Sequence, residues 1–226
     1  DGRIARMTGQ TSEFGAQLDS LCDAVTFGVA PAILMLRTVQ AELFPFVGEV
    51  DILPKAAVLG RAVWFIAAVY ASCAILRLAR FNVENTPDLS AHLEFKGMPS
   101  PAAAMTVSSL VLLHAHLPTF TEGWRSAGWL SQTVIWAIPV VTLASALLMV
   151  SQVRFPHLAN KYLHGRKSFG HLVCMAIITV ATVVYFRFAL VTISMLFLFS
   201  GPVGLLWARK RAALRDEVAA DDADHD

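Results

Sequence analysis

The sequence has few charged residues and few cysteines. Only 15% of its 226 residues are Asp, Glu, Lys or Arg, and the formal net charge is +1. No basic patch interleaved with aromatic residues is present, so we expect no nucleic-acid partner. The three cysteines, Cys22, Cys73 and Cys174, are odd in number and lie in apolar stretches without metal-ligand spacing. This pattern favours inert, small side chains over a disulfide framework or a metal site.

Apolar residues, in contrast, make up 56% of the chain, and the mean hydropathy of +0.57 is too high for an ordinary soluble domain. A helix needs roughly 20 apolar residues to cross a bilayer. Six segments meet this requirement, and the last two form a tight hairpin separated by little more than Arg187. They cover residues 17–37, 57–79, 101–119, 129–152, 168–187 and 189–208. The sequence therefore predicts an all-α integral membrane protein, a polytopic bundle with six transmembrane helices.

The two ends of the chain differ from this apolar body. Residues 209–226 are charged and have little apolar content, which favours a disordered cytoplasmic tail after a membrane domain over residues 1–208. The first residue, Asp1, already belongs to a motif, and neither an initiator methionine nor a signal peptide precedes it. We therefore expect the chain to be truncated at its N-terminus.

Lysine and arginine are unevenly distributed between the two sides of the predicted bundle. With six crossings, the side that holds Asp1 and the C-terminus collects thirteen of the eighteen Lys and Arg residues, and the other side collects five. Because cytoplasmic loops of membrane proteins carry the excess of positive charge, we expect the Asp1 side to face the cytoplasm.

Two carboxylates stand out on that side. Gly15, Asp19 and Asp23 are four residues apart, so a helix places them on one face, directly before an apolar run. Carboxylates without His or Cys neighbours suit a hard divalent cation, which proteins often share with substrate phosphates. Gly2 and Gly15 would let a phosphate approach the backbone, and Arg6 would pair with it. The sequence therefore predicts phosphoryl transfer on a lipid.

These residues also resemble a known signature. Asp1-Gly2, Ala5-Arg6, Gly15, Asp19 and Asp23 have the spacing of the CDP-alcohol phosphatidyltransferases, whose signature has a further Asp three residues before the position of Asp1. The resemblance implies metal ligation by Asp1, Asp19 and Asp23, with Asp23 also the general base. It implies two ions, Mg²⁺ or Mn²⁺, and binding of the CDP moiety by Gly2, Ala5, Arg6 and Gly15.

Three longer stretches, residues 19–32, 76–82 and 96–104, are similar to the membrane-embedded phosphatidylserine synthases of this family. This similarity implies that CDP-diacylglycerol and L-serine react to phosphatidylserine and CMP. It further implies a cell (inner) membrane protein with eight helices at full length, two of them upstream of Asp1, and a homodimer.

Polar residues near the second and third predicted helices are candidates for substrate contact. Arg77 and Arg80 would bind the lipid phosphate or the serine carboxylate, or they are simply positive charges on the cytoplasmic side. Asn82, Lys96 and Ser100 flank the same loop and would contact the serine zwitterion. His114 and His116 are two apart, do not share a helix face and are not expected to bind a metal.

Three alternatives remain open at this stage. A sister enzyme would use glycerol 3-phosphate, inositol phosphate or choline as the acceptor. A transporter would also contain intramembrane carboxylates, although no second copy of the Asp cluster is present. A non-catalytic homologue is the third, because one motif Asp is absent, and the chain as given is expected to bind metal poorly and to be inactive.

Overall fold

The computed structural model describes residues 13–43, 54–84, 97–120, 128–151, 153 and 182–224, and these residues contain no β-strand. A π-helix, Ala24–Val29, lies between the first two α-helices. The α-helices are α1 (Glu13–Asp23), α2 (Ala30–Leu43), α3 (Pro54–Glu84), α4 (Ser100–Phe120), α5 (Gly128–Val150) and α6 (Phe186–Asp224).

Five helical segments of the described chain are long and apolar enough to cross a membrane. They are Gln17–Leu43, Val58–Val83, Ser100–Leu117, Gly128–Val150 and Phe186–Leu205. They confirm the predicted all-α, polytopic membrane fold, and five of the six predicted crossings correspond to them. The other one, residues 168–187, lies mostly outside the described residues.

The core of the bundle lies where α2, α3, α4 and α5 meet. The closest helix pairs are α3 with α5, α4 with α5 and α4 with α6. Met35, Tyr70, Val107, Ile138 and Met149 are fully buried there. Large apolar side chains also cover the outside, including Trp64, Phe65, Val140, Leu147, Leu196 and Phe199. An apolar exterior around a helical core is the arrangement that hydrocarbon requires.

Hydrogen bonds show which helix ends lie together. At one end, here called the Asp end, Asn82 contacts Ser20 and Arg77 contacts Ser100. At the opposite end, here called the His end, His114 lies 3.5 Å from Glu42 and His116 contacts Arg187. Successive helices α2 to α5 therefore alternate in direction, and α6 begins at the His end, as the predicted order of crossings requires.

The last helix departs from two details of the sequence interpretation. The chain turns at Tyr185, so Arg187 lies within the first turn of α6 and not between two helices. The same helix continues to Asp224, through the segment for which the sequence favoured a disordered tail. Residues 209–224 include five Ala and three Arg, which are strong helix formers and can extend a helix that is already nucleated.

Candidate active site

The two predicted carboxylates lie on α1 at the Asp end of the bundle. Asp19 is exposed, Asp23 is half-buried, and Asp23 is the last residue before the π-helix. Gly15 is exposed one turn before Asp19. The three residues share one face of α1, as the four-residue spacing predicts. Two acids one turn apart repel each other unless a cation lies between them, so this face is suited to bind one.

The end of α3 reaches α1 beside this face. The Asn82 side-chain amide donates a hydrogen bond to Ser20 Oγ at 3.1 Å, and Ser20 follows Asp19 directly. Asn82 is exposed, and its second amide hydrogen and its oxygen can each form a further hydrogen bond. The structure therefore brings Asn82, predicted to contact substrate, next to the acidic residues.

Arg77 lies about a turn and a half earlier on α3, where the bundle is partly closed. Its Nη1 donates to Ser100 Oγ at 3.0 Å, and Ser100 is fully buried at the start of α4. The Nε of Arg77 is buried and has no hydrogen-bond partner among the described residues. Arg80 follows three residues later and is half-buried. Ser100 is thus committed to Arg77, whereas the Arg77 guanidinium retains a free, buried donor.

The segment before α4 is held against the end of α5. The Gly97 amide donates to the Val153 carbonyl at 2.9 Å, and the Met98 amide donates to the Leu148 carbonyl at 3.0 Å. Gly97 has a φ of +89°, and a Cβ there would stand 2.6 Å from the Met149 carbonyl oxygen. Only glycine fits this close approach, which fixes the position of Ser100 and hence of its bond to Arg77.

The π-helix packs closely on α3. A Cβ on Gly28 would lie 3.2 Å from the Cβ of Ala74. The buried Tyr70 hydroxyl donates to the Phe27 carbonyl at 3.2 Å. The sequence interpretation included neither the π-helix nor Tyr70. The available signals were Pro31, which disturbs the preceding turn, and a tyrosine hydroxyl in an apolar segment, which needs a partner.

The remaining predicted site residues have separate outcomes. Asp1, Gly2, Ala5, Arg6 and Lys96 lie outside the described residues. Within the described ranges, no group of three or more His, Cys, Asp and Glu side chains could hold a metal ion. Asp19 and Asp23 are thus two oxygen donors of a kind that suits Mg²⁺ or Mn²⁺, with the predicted third ligand, Asp1, in the part of the chain left undescribed.

The two histidines lie at the opposite end of the bundle and face different helices. His114 is buried and pairs with Glu42 of α2, whereas His116 contacts Arg187 of α6. This arrangement agrees with the expectation that residues two apart do not share a helix face. Neither residue is near Asp19 or Asp23.

The chain resembles one known protein family and several individual proteins. The profile of a family described as CDP-alcohol phosphatidyltransferase matches residues 1–144. Proteins named CDP-diacylglycerol–serine O-phosphatidyltransferase are similar to the chain. The one from Mycobacterium tuberculosis is 39% identical over 132 residues, which is 57% of this chain and 39% of that protein.

Similar proteins of the same name occur in other organisms. The one from Helicobacter pylori is 35% identical over 158 residues, covering 70% of this chain and 54% of that protein. The one from Bacillus subtilis is 31% identical over 157 residues, covering 70% and 67%. The chain thus spans about half or less of the mycobacterial and Helicobacter relatives. No solved structure matches the chain significantly.

Proposed function

Since the chain belongs to the CDP-alcohol phosphatidyltransferase family, we propose that it transfers the phosphatidyl group of CDP-diacylglycerol to the hydroxyl of L-serine, with CMP as the leaving group. The observation behind the proposal is the acidic face of α1 at the Asp end. Asn82 of α3 is hydrogen-bonded to α1 beside this face, and Arg77 lies on α3 near Asn82. The names of the relatives from Mycobacterium tuberculosis and Helicobacter pylori support serine as the acceptor.

The family depends in general on divalent metal ions. Asp19 and Asp23 would hold Mg²⁺ or Mn²⁺ together with Asp1, and the family resemblance implies two such ions. Bound ions would stabilise negative charge on the diphosphate as CMP leaves. Gly2, Ala5, Arg6 and Gly15 would hold the CDP moiety. The absence of any side chain on Gly15, which is exposed one turn from Asp19, keeps that approach open.

Asp23 is the proposed general base. It is less exposed than Asp19 and is the last residue of α1, so it lies closer to the bundle. A carboxylate in this position would accept the proton from the serine hydroxyl as the hydroxyl oxygen attacks the β-phosphate. The bond from that phosphorus to the CMP oxygen breaks, and the phosphatidyl group is now esterified to serine.

Arg77 is the proposed contact for an anionic group of the substrates. Its Nη1 donates to Ser100, while its buried Nε has no partner within the part of the chain that the structure describes. A buried N–H without a partner is unfavourable by about 1–3 kcal/mol, so an anion that accepts from it is favoured. The serine carboxylate and the lipid phosphate are the two anions available. Arg80 and Asn82 would complete this contact from the same end of α3.

The Asp end is proposed to face the cytoplasm from the cell (inner) membrane, because that side has the larger share of Lys and Arg. CDP-diacylglycerol would enter from the membrane, and serine would enter from the aqueous side. A homodimer is proposed on the family resemblance alone.

An acceptor screen tests the proposed reaction on the full-length protein. CMP release from CDP-diacylglycerol is measured with serine, glycerol 3-phosphate, inositol phosphate or choline, with Mg²⁺ or Mn²⁺ present. We expect release with serine and a loss of about a hundredfold or more in Asp23→Asn. Glu42→Gln is the matched control, since Glu42 is a carboxylate at the His end. CMP release only with another acceptor would identify a sister enzyme. No CMP release with any of the four acceptors would refute the proposal.

A further inference from the structure

Pro31 disturbs the helix that connects the carboxylates to the core. A proline has no N–H, and its ring clashes with the carbonyl four residues earlier, which here belongs to Phe27. The turn before Pro31 is widened accordingly. The Ala30 amide bonds to the Val25 carbonyl, five residues back, in place of the usual four. The π-helix Ala24–Val29 is therefore a local response to Pro31.

Tyr70 supplies a side-chain donor at the turn that Pro31 disturbs. The Phe27 carbonyl cannot receive the amide of residue 31, and within a membrane an unpaired carbonyl is costly. The Tyr70 hydroxyl, fully buried on α3, donates to this carbonyl at 3.2 Å. The close contact of Gly28 with Ala74 brings the two helices near enough for this bond. We call Pro31, the Phe27 carbonyl and Tyr70 the π-lock.

The π-helix changes the direction in which α1 faces. A π-turn holds about one residue more than an α-turn, and one residue is about 100° of an α-helix. In an uninterrupted α-helix, Asp23 would point about 150° away from the mean direction of the buried residues of α2. With the extra residue, this angle falls to about 50°. Those buried residues are Pro31, Ala32, Met35, Leu36 and Val39.

The exposure of α1 agrees with the rotated arrangement. The same arithmetic puts Ser20 within about 10° of the buried face, Asp19 at about 90° and Cys22 at about 150°. Ser20 is the residue that contacts Asn82 of α3. Asp23 is half-buried, whereas Asp19 and Cys22 are exposed.

We infer that the π-lock turns Asp19 and Asp23 from the lipid towards the interior of the Asp end, which makes Tyr70 and Pro31 positioning residues for the reaction. This inference rests on the proposed function for its catalytic meaning. The rotation itself is independent of that function and can be measured separately.

Two variants test the π-lock in the full-length protein. Tyr70→Phe removes the donor and keeps the ring, and Pro31→Ala restores the amide that an ordinary α-helix needs. Ser109→Ala is the control, because it removes a different buried hydrogen bond, the one of 2.9 Å between Ser109 of α4 and Ser194 of α6. Thermal unfolding in detergent reports the structural effect that the variants share.

The first readout is Mn²⁺ binding, followed by the electron paramagnetic resonance signal of free Mn²⁺. We expect about tenfold weaker binding or more in Tyr70→Phe and Pro31→Ala, as for other changes that misorient metal ligands, and unchanged binding in Ser109→Ala.

The second readout is the rotation of α1. Cysteines replace Ser20 and Asn82 in a background without native cysteines, and a short bifunctional thiol reagent links them. Both π-lock variants should lower the yield of this cross-link.

Unchanged Mn²⁺ binding and cross-linking in both π-lock variants would overturn the inference, as would an equal loss in Ser109→Ala. These outcomes differ from failure of the proposed function. In that case the parent protein releases no CMP with serine, while the cross-linking of residues 20 and 82 still responds to Tyr70→Phe.

Discussion

Arg77 is the residue at which the candidate site and the packing of the bundle meet. One nitrogen of its guanidinium donates to the buried Ser100, and another is buried without a partner in the described ranges. A planar guanidinium can do both at once because its donors lie on separate nitrogens in a fixed geometry, whereas the three donors of lysine share one nitrogen. The sequence predicts an anion contact at Arg77, but the division of its donors between Ser100 and a ligand depends on how α3 and α4 pack.

Arg77→Met should raise the KM for the substrate that provides the anion by about tenfold or more, because hydrogen bonds to charged groups contribute about 1.5–3 kcal/mol. The methionine keeps most of the alkyl chain and therefore most of the packing. CMP release is measured as a function of the serine concentration and, separately, of the CDP-diacylglycerol concentration. The substrate whose KM rises is the one that provides the anion.

Arg187→Met is the matched control for Arg77→Met, since Arg187 contacts His116 at the opposite end. Its KM values should equal those of the parent protein. Ser100→Ala should produce a smaller increase than Arg77→Met, because the guanidinium remains. An Arg77→Met protein with unchanged KM for both substrates would contradict the proposed contact.

Among the larger elements, the short segment from Gly97 to Ser100 determines how α4 begins. Its backbone is hydrogen-bonded to the end of α5, and Met98 is fully buried beneath it. The sequence predicts that Ser100 contacts the serine zwitterion. In the structure, Gly97 and Met98 hold the segment in place, and the buried Ser100 accepts a hydrogen bond from Arg77.

Gly97→Ala should lower the free energy of unfolding by about 1–3 kcal/mol, the usual effect of forcing a side chain into a left-handed backbone conformation. The contact of 2.6 Å with the Met149 carbonyl adds to this penalty. Gly60→Ala is the control, because a Cβ at Gly60 meets nothing within 4 Å and alanine favours the helix. Thermal unfolding followed by tryptophan fluorescence compares the two, and equal stability would contradict the account of Gly97.

The sequence predicts the regular elements well and the irregular one poorly, for a physical reason. Apolar runs of 18 to 27 residues are visible without knowledge of their neighbours, and all five described spans fall where hydropathy predicts them. The π-helix depends on Pro31, which removes one backbone hydrogen bond, and on Tyr70, whose hydroxyl donates to the Phe27 carbonyl 43 positions earlier. This second bond becomes visible only when the π-helix and α3 are packed together.

For the molecule as a whole, orientation is the property that connects the fold to the proposed reaction. The alternation of α2 to α5 agrees with the predicted crossings, and it gathers Asp19, Asp23, Arg77 and Asn82 at one end. Which side of the membrane that end faces is a prediction from the distribution of Lys and Arg.

Cysteine labelling tests the predicted orientation. In a background without native cysteines, Phe14→Cys reports the Asp end and Gly128→Cys reports the His end, since both positions are exposed. In spheroplasts, a membrane-impermeant maleimide should label Gly128→Cys alone. After permeabilisation it should label both, which controls for reactivity. Labelling of Phe14→Cys in intact spheroplasts would reverse the proposed orientation.

The bonds between Gly97 or Met98 and the end of α5 also imply an order of assembly during synthesis. The amide of Gly97 has its partner at Val153, so a ribosome must add more than fifty residues before that partner exists. At the usual rates of about 5–20 residues per second, the start of α4 waits roughly 3–11 seconds. Over this interval the amides of Gly97 and Met98 must be hydrated. The position of Ser100, the hydrogen-bond partner of Arg77, becomes fixed only when α5 has entered the membrane.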